Sequence, residues 1–173
     1  FPVDDALHLT ELLSLVAASR SNDAIFAMDE YRKKYSKSES SVAYAEIQFL
    51  FFSEGEDAAK KATSLYREKF RDSKEDLYDV FCAVALCAKY SVTEREKESR
   101  IQESFDILER LIAIGYDDYD HITTDPDLIA LHDQNQFDSA LNMLSAPVSM
   151  AGIWPVNTSI ETKVIPTNLH ETG

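Results

Sequence analysis

Glycine and proline are scarce in this chain, at four and five of 173 residues. So small a supply of turn-forming residues excludes a β protein built from many short strands. Cysteine is nearly absent too. Cys82 and Cys87 lie five positions apart within one helical pattern, and a continuous helix cannot bring such a pair into disulfide geometry. They read as buried thiols, and nothing else speaks for an oxidising compartment. Positive charge is in deficit: 17 Lys and Arg face 31 Asp and Glu, for a formal net charge of −14. Nucleic acid and anionic membranes repel a surface of that sign, which leaves basic or apolar partners. No apolar run is long enough for a transmembrane helix, and no basic-then-apolar segment opens the chain, so a cytoplasmic location is expected. The chain begins at Phe1 and its last residues do not read as a finished fold, so it is expected to be a piece of a longer protein.

What is plentiful is Ala, Leu, Glu, Asp, Lys and Ser, the residues of helices and their caps. The hydrophobic content of 45% supports one domain that buries about two thirds of its surface. An all-α fold is expected. Asp4 or Asp5 caps a first helix to about Ser19, with Leu9, Leu12, Leu13 and Val16 at helical spacing. A short break at Arg20-Ser21-Asn22 makes the second helix, marked by Ala24, Met28, Tyr31 and Tyr35, its antiparallel neighbour. The third, from about Ser40 to Ser53, is apolar on most sides, which gives it a central place. Glu54-Gly55 ends it, and a fourth runs from about Glu56 to Arg71. Ser73 with Glu75 and Asp76 resembles an N-cap for a fifth, to about Lys89. The charged segment Ser91 to Arg100 is either a longer loop or a solvated first turn. A sixth helix then carries Ile101, Phe105, Leu108, Leu111 and Ile112 and stops at Gly115.

These helices form three tandem hairpins with a repeat. Ala24 and Ala58 are 34 positions apart, each opening the second helix of a pair, and Ser104 is their third equivalent, 46 positions beyond Ala58. With that spacing the chain resembles the tetratricopeptide (TPR) family across residues 4 to 145, departing from its pattern at Leu12, where a glycine is usual, and Ser36, where a proline is usual. The third unit, Leu77 to Ala88, Leu108 to Tyr116, Asp125-Pro126-Asp127-Leu128 and Phe137, looks like the end-of-array TPR module of large multidomain bacterial proteins, notably beside serine/threonine kinase domains in planctomycetes. The resemblance implies a right-handed α-solenoid of three hairpins. Its acidic end would be a cap of two short helices, with Thr124-Asp125-Pro126-Asp127 starting one and Leu128, Leu131, Phe137 and Leu141 closing over the sixth helix. Residues 146 to 173 form a separate non-helical tail. Pro147, Pro155 and Pro166 break helices, and Ile153-Trp154 with Ser159 to Ile165 favours a β-hairpin or extended segment. Gly152-Ile153-Trp154 is similar to the start of a tryptophan-containing repeat that follows such arrays.

Little in the sequence points to chemistry. Asp117, Asp118, Asp120, Asp125 and Asp127 form the richest acidic cluster, but no frame has both the sixth-position glycine and the twelfth-position glutamate of a calcium loop. They read as caps and solvated surface. His8, His121, His132 and His170 have no zinc spacing, and no glycine-rich phosphate loop is present. No metal, no cofactor and no catalytic residue is assigned. The inner helices before Lys89 lack the Lys and Asn of a TPR carboxylate clamp, so a basic or amphipathic peptide is the ligand expected there, with Glu11, Tyr44, Gln48, Tyr78 and Phe81 as contact residues. The functional expectation is a non-catalytic protein–protein interaction or scaffolding module of a larger protein. The rivals are a purely structural spacer that orients neighbouring domains and, more remotely, a small all-α hydrolase using carboxylates near His121.

Overall fold

The structure is a computed structural model that describes residues 21–35 and 38–145. The first expected helix, with Glu11, and the whole of the 146–173 tail lie outside the described residues. Among those described, every regular element is helical and none is a strand. The elements are α1 (Ser21–Lys34), α2 (Glu39–Ser53), α3 (Glu56–Lys69), α4 (Lys74–Tyr90), α5 (Glu94–Ala113), α6 (Tyr119–Thr124), a 3-10 turn (Pro126–Leu128) and α7 (Asn135–Ser145).

The start and stop signals in the sequence are used as hydrogen bonds. Ser73 Oγ accepts from the Asp76 N–H at 3.4 Å and donates to Asp76 Oδ2 at 2.7 Å, capping α4. Thr93 and Glu96 form a reciprocal capping box at the start of α5, each backbone N–H donating to the other's side chain at 3.2 Å. The charged segment before Ile101 is therefore helix, and α5 begins at Glu94. Gly115 ends α5 with φ of 85°, a left-handed conformation that costs glycine nothing. Tyr116 N–H then reaches Leu111 O and Gly115 N–H reaches Ile112 O, both at 2.9 Å, the double closure of a Schellman motif.

Packing follows alternate helices as well as neighbours. The most extensive contacts are α4 with α5, α2 with α4 and α2 with α3, whereas α3 meets α4 over a smaller area. The most enclosed element is α4 rather than α2. From Leu77 to Ala88 every residue of α4 except Asp79 is buried, and its small side chains Cys82, Ala83, Ala85, Cys87 and Ala88 let helices approach on several sides. By contrast α2 leaves Phe52 exposed at its end. The extra cover on α4 comes from the 3-10 turn, which packs directly against it. Ile122, Leu128 and Leu131 of the cap are fully buried, each worth about 1.5–3 kcal/mol of transfer free energy. The cap is thus part of the core. It comprises three pieces where the sequence marked two, because Asp125 stops α6 and caps a separate turn.

Candidate functional site

The richest gathering of polar side chains inside the fold lies where the 3-10 turn meets α2 and α4. Tyr78 and Cys82 are one helical turn apart on α4 and share a face, and Tyr44 approaches from α2. Asp125 takes the N-cap position of the turn, its Oδ1 accepting from the Asp127 N–H at 2.9 Å. Pro126 at the first position fixes the backbone angle the turn requires. That geometry aims both carboxylates at the helices. Tyr44 Oη donates to Asp127 Oδ2 at 2.7 Å, Tyr78 Oη donates to Asp125 Oδ2 at 2.9 Å, and Cys82 Sγ lies 3.6 Å from the same oxygen. On the outer side His121 Nε2 is 3.6 Å from Asp125 Oδ2 and its Nδ1 is 3.1 Å from Tyr116 Oη. The Tyr116 ring stacks on that of Tyr78 with centroids 5.0 Å apart, and the His121 ring lies 4.6 Å from it.

Burial makes the tyrosine hydroxyls and the thiol of this cluster hold their protons. Burial pushes the Tyr44, Tyr78 and Tyr116 hydroxyls far up, and neighbouring acidic groups push the same way. Burial also raises the Cys82 thiol, reinforced by Asp125 and Asp127. Asp127 itself is raised by burial, against the opposing pull of the Tyr44 hydrogen bond. A thiol kept protonated is neither a nucleophile nor a good metal ligand. The ligand atoms of Cys82, Asp125 and Asp127 do fall within 4.8 Å of one another, but Asp125 and Asp127 already accept tyrosine hydroxyls. His121 and Asp125 resemble half of a hydrolytic relay. Its near hydroxyl, Tyr116, is a poor nucleophile because burial raises it.

Of the residues named from sequence for peptide contact, Tyr44, Gln48, Tyr78 and Phe81 are all buried, at 5%, 2%, 6% and 0% exposure. Gln48 Nε2 donates to the Tyr44 carbonyl at 3.2 Å, and Phe81 meets Tyr78 edge-on at 5.9 Å. Tyr44 and Tyr78 are brought together under the turn, and Glu11 lies outside the described residues. The acidic cluster divides. Asp118 caps α6 by accepting from the His121 N–H at 3.0 Å, as its sequence context implied, whereas Asp125 and Asp127 face inward. No linear signal pairs them with tyrosines 47 and 83 positions away. Cys82 and Cys87 are free and buried, and burial pushes the Cys87 thiol up to about 12.

A second buried polar group sits between α3 and α5. Arg100 is fully buried. Its Nη1 lies 2.7 Å from Glu103 Oε2, close enough for an ion pair but off the hydrogen-bonding direction. Its Nη2 donates to the Glu56 carbonyl at 3.2 Å and lies 3.9 Å from Glu56 Oε1, while Nε has no partner among the described residues. This group was legible in principle. Arg100, Ser104, Ile107, Leu108 and Leu111 share one stripe once the Thr93–Glu96 box sets the start of α5.

Comparison with family models, with curated proteins and with solved structures returns no match. Among the described residues, no helix is long and apolar enough to cross a membrane.

Proposed function

We propose that the chain is a non-catalytic scaffolding module: the closing end of a TPR-like α-solenoid whose inner face is filled by its own cap. The observation that carries this reading is the pair of hydrogen bonds from Tyr44 to Asp127 and from Tyr78 to Asp125. They hold the Asp125–Leu128 segment where a peptide ligand of such a face would lie. The stacking of α2 on α4, past the intervening α3, supports it, since first helices of successive hairpins stack in this way. A filled inner face favours a role in positioning neighbouring parts of a longer protein over capture of a free peptide. Leu128 and Leu131 are buried too deeply for the cap to lift at small cost.

The alternative, recognition of a basic or amphipathic peptide on the inner surface, rests on the net charge of −14. The two are separated by titrating the isotope-labelled chain with basic and amphipathic peptides and following the Tyr44, Gln48, Tyr78 and Phe81 amides. The scaffolding reading expects no saturable change at those positions. A peptide that binds there and displaces the Asp125–Leu128 turn would sink it.

A further inference from the structure

In a chain with net charge −14, three of the seven arginines converge on one open cleft of about 610 Å³. Arg67 and Arg71, with Ser64 and Glu68, come from the last turns of α3 and the residues after it, Arg110 comes from α5, and Leu77 of α4 forms an apolar wall. Two of the guanidinium groups are partly committed. Arg110 Nη2 lies 2.6 Å from Asp72 Oδ1, and its Nε donates to the Arg71 carbonyl at 2.9 Å. Arg71 lies 3.2 Å from Glu68 and 3.3 Å from Asp72. Arg67 is different: its guanidinium makes no hydrogen bond or ion pair with a described residue, and at longer range its charge acts on Glu103. It is half-buried rather than extended into solvent.

The tethers of Arg71 and Arg110 fix the direction of two planar donor forks, so little side-chain entropy remains to be lost on binding. In direct contact with the three guanidinium groups are two carboxylates, Glu68 and Asp72, with Glu103 at longer range from Arg67. A compact dianion senses these near charges more than the rest of the protein, because salt screens charges beyond ~8 Å. A long polyanion would sense the whole negative field and be repelled. Three forks arriving from α3, the turn after it and α5 suit a tetrahedral group with three acceptor oxygens better than a planar carboxylate.

We propose that the Arg67–Arg71–Arg110 cleft binds a phosphate monoester, carried either by a small molecule or by a phosphorylated serine or threonine of a partner chain, with Arg67 supplying the uncommitted fork. The site lies apart from the inner-face cluster and does not rest on the scaffolding reading.

The test is an NMR titration of the arginine Nε–H resonances with inorganic phosphate, O-phospho-L-serine and a neutral peptide with and without one phosphoserine, at constant ionic strength against chloride. Saturable shifts of Arg67, Arg71 and Arg110 with the phosphorylated probes are expected, and not with chloride or the unphosphorylated peptide. Affinity should fall by about tenfold in Arg67→Gln, the loss of one charge-assisted contact, and stay unchanged in Arg95→Gln on the same helix as Arg110. Tighter binding of the phosphopeptide than of O-phospho-L-serine assigns the site to a partner chain, and equal binding assigns it to a small molecule. Shifts that only track chloride, or an affinity that Arg67→Gln leaves intact while circular dichroism shows an unchanged fold, would overturn the proposal.

Discussion

Two buried polar groups hold α4 and α5 to their neighbours, and they solve the same problem differently. Under the cap, Asp125 and Asp127 meet tyrosine hydroxyls, donors that carry no charge to desolvate and sit on rigid aromatic rings. Between α3 and α5, Arg100 brings a full charge into the interior against Glu103 and Glu56, with its Nε unpartnered among the described residues. The first arrangement satisfies its polar atoms and adds apolar burial. The second depends on a balance between a large desolvation penalty and Coulomb attraction. A satisfied network with uncharged donors should therefore fail gradually, one hydrogen bond at a time, whereas the ion cluster should fail abruptly when one member is removed.

The largest effect expected from breaking this contrast is at Arg100. Arg100→Met leaves the buried Glu103 carboxylate without its cation and should destabilise the fold by about 3–5 kcal/mol, read as a lower midpoint in urea. Adding Glu103→Leu to that variant should restore most of the loss, because two charges are then absent rather than one unpaired. No recovery in the double variant would mean that shape, not charge, is what Arg100 supplies.

Under the cap the changes should be smaller. Tyr44→Phe keeps the ring and removes the donor to Asp127, for a cost of about 1–3 kcal/mol. Tyr78→Phe should behave alike at Asp125. The Tyr44→Phe penalty should shrink on acidification, since protonated Asp127 needs the donor less. An equal penalty at pH 7.5 and pH 5 would show that the hydroxyl does not bond a charged carboxylate.

The pH dependence of the wild-type chain tests both groups together. Burial raises the folded-state pKa values of Asp79, Glu103 and Asp127 above their unfolded values. Between the unfolded carboxylate range, at about pH 4, and those raised values, the folded chain binds more protons than the unfolded one, so stability rises as pH falls. Glu56 is lowered, chiefly by its bond to Lys60, and its contribution is lost only below the ordinary carboxylate range. Thermal melts at constant ionic strength should thus show a higher Tm at pH 5.5 than at pH 7.5. A monotonic fall would contradict the burial of these carboxyls.

The smallest effect is local. Thr93→Ala removes half of the capping box that starts α5 and should cost about 1 kcal/mol. Hydrogen exchange should quicken in residues 94–99 before it does at Arg100.

Much of this architecture was readable along the chain, since helix signals act over one turn. Ser73, Thr93, Asp118 and Gly115 each sit where a cap or stop needs that residue, and the apolar spacing of α4 and α5 sets their buried faces. The Thr93–Glu96 box was as visible as the others, yet the density of charge around it masked a helix start. The contacts beneath the 3-10 turn were not readable. Tyr44, Tyr78 and Phe81 have a spacing that serves a core or a groove equally well, because burial and ligand binding both select aromatic residues.

The sequence by itself determined that the described residues are helical, where most of their helices begin and end, and that Cys82 and Cys87 form no disulfide, because hydrogen bonding and side-chain direction within a helix are local. Only the tertiary structure decided that Asp125 and Asp127 turn inward to the tyrosines, that Arg100 is enclosed, and that Arg67, Arg71 and Arg110 share a cleft. Those outcomes depend on which faces meet across distant stretches of chain, and a charged side chain carries no mark of the partner it will find.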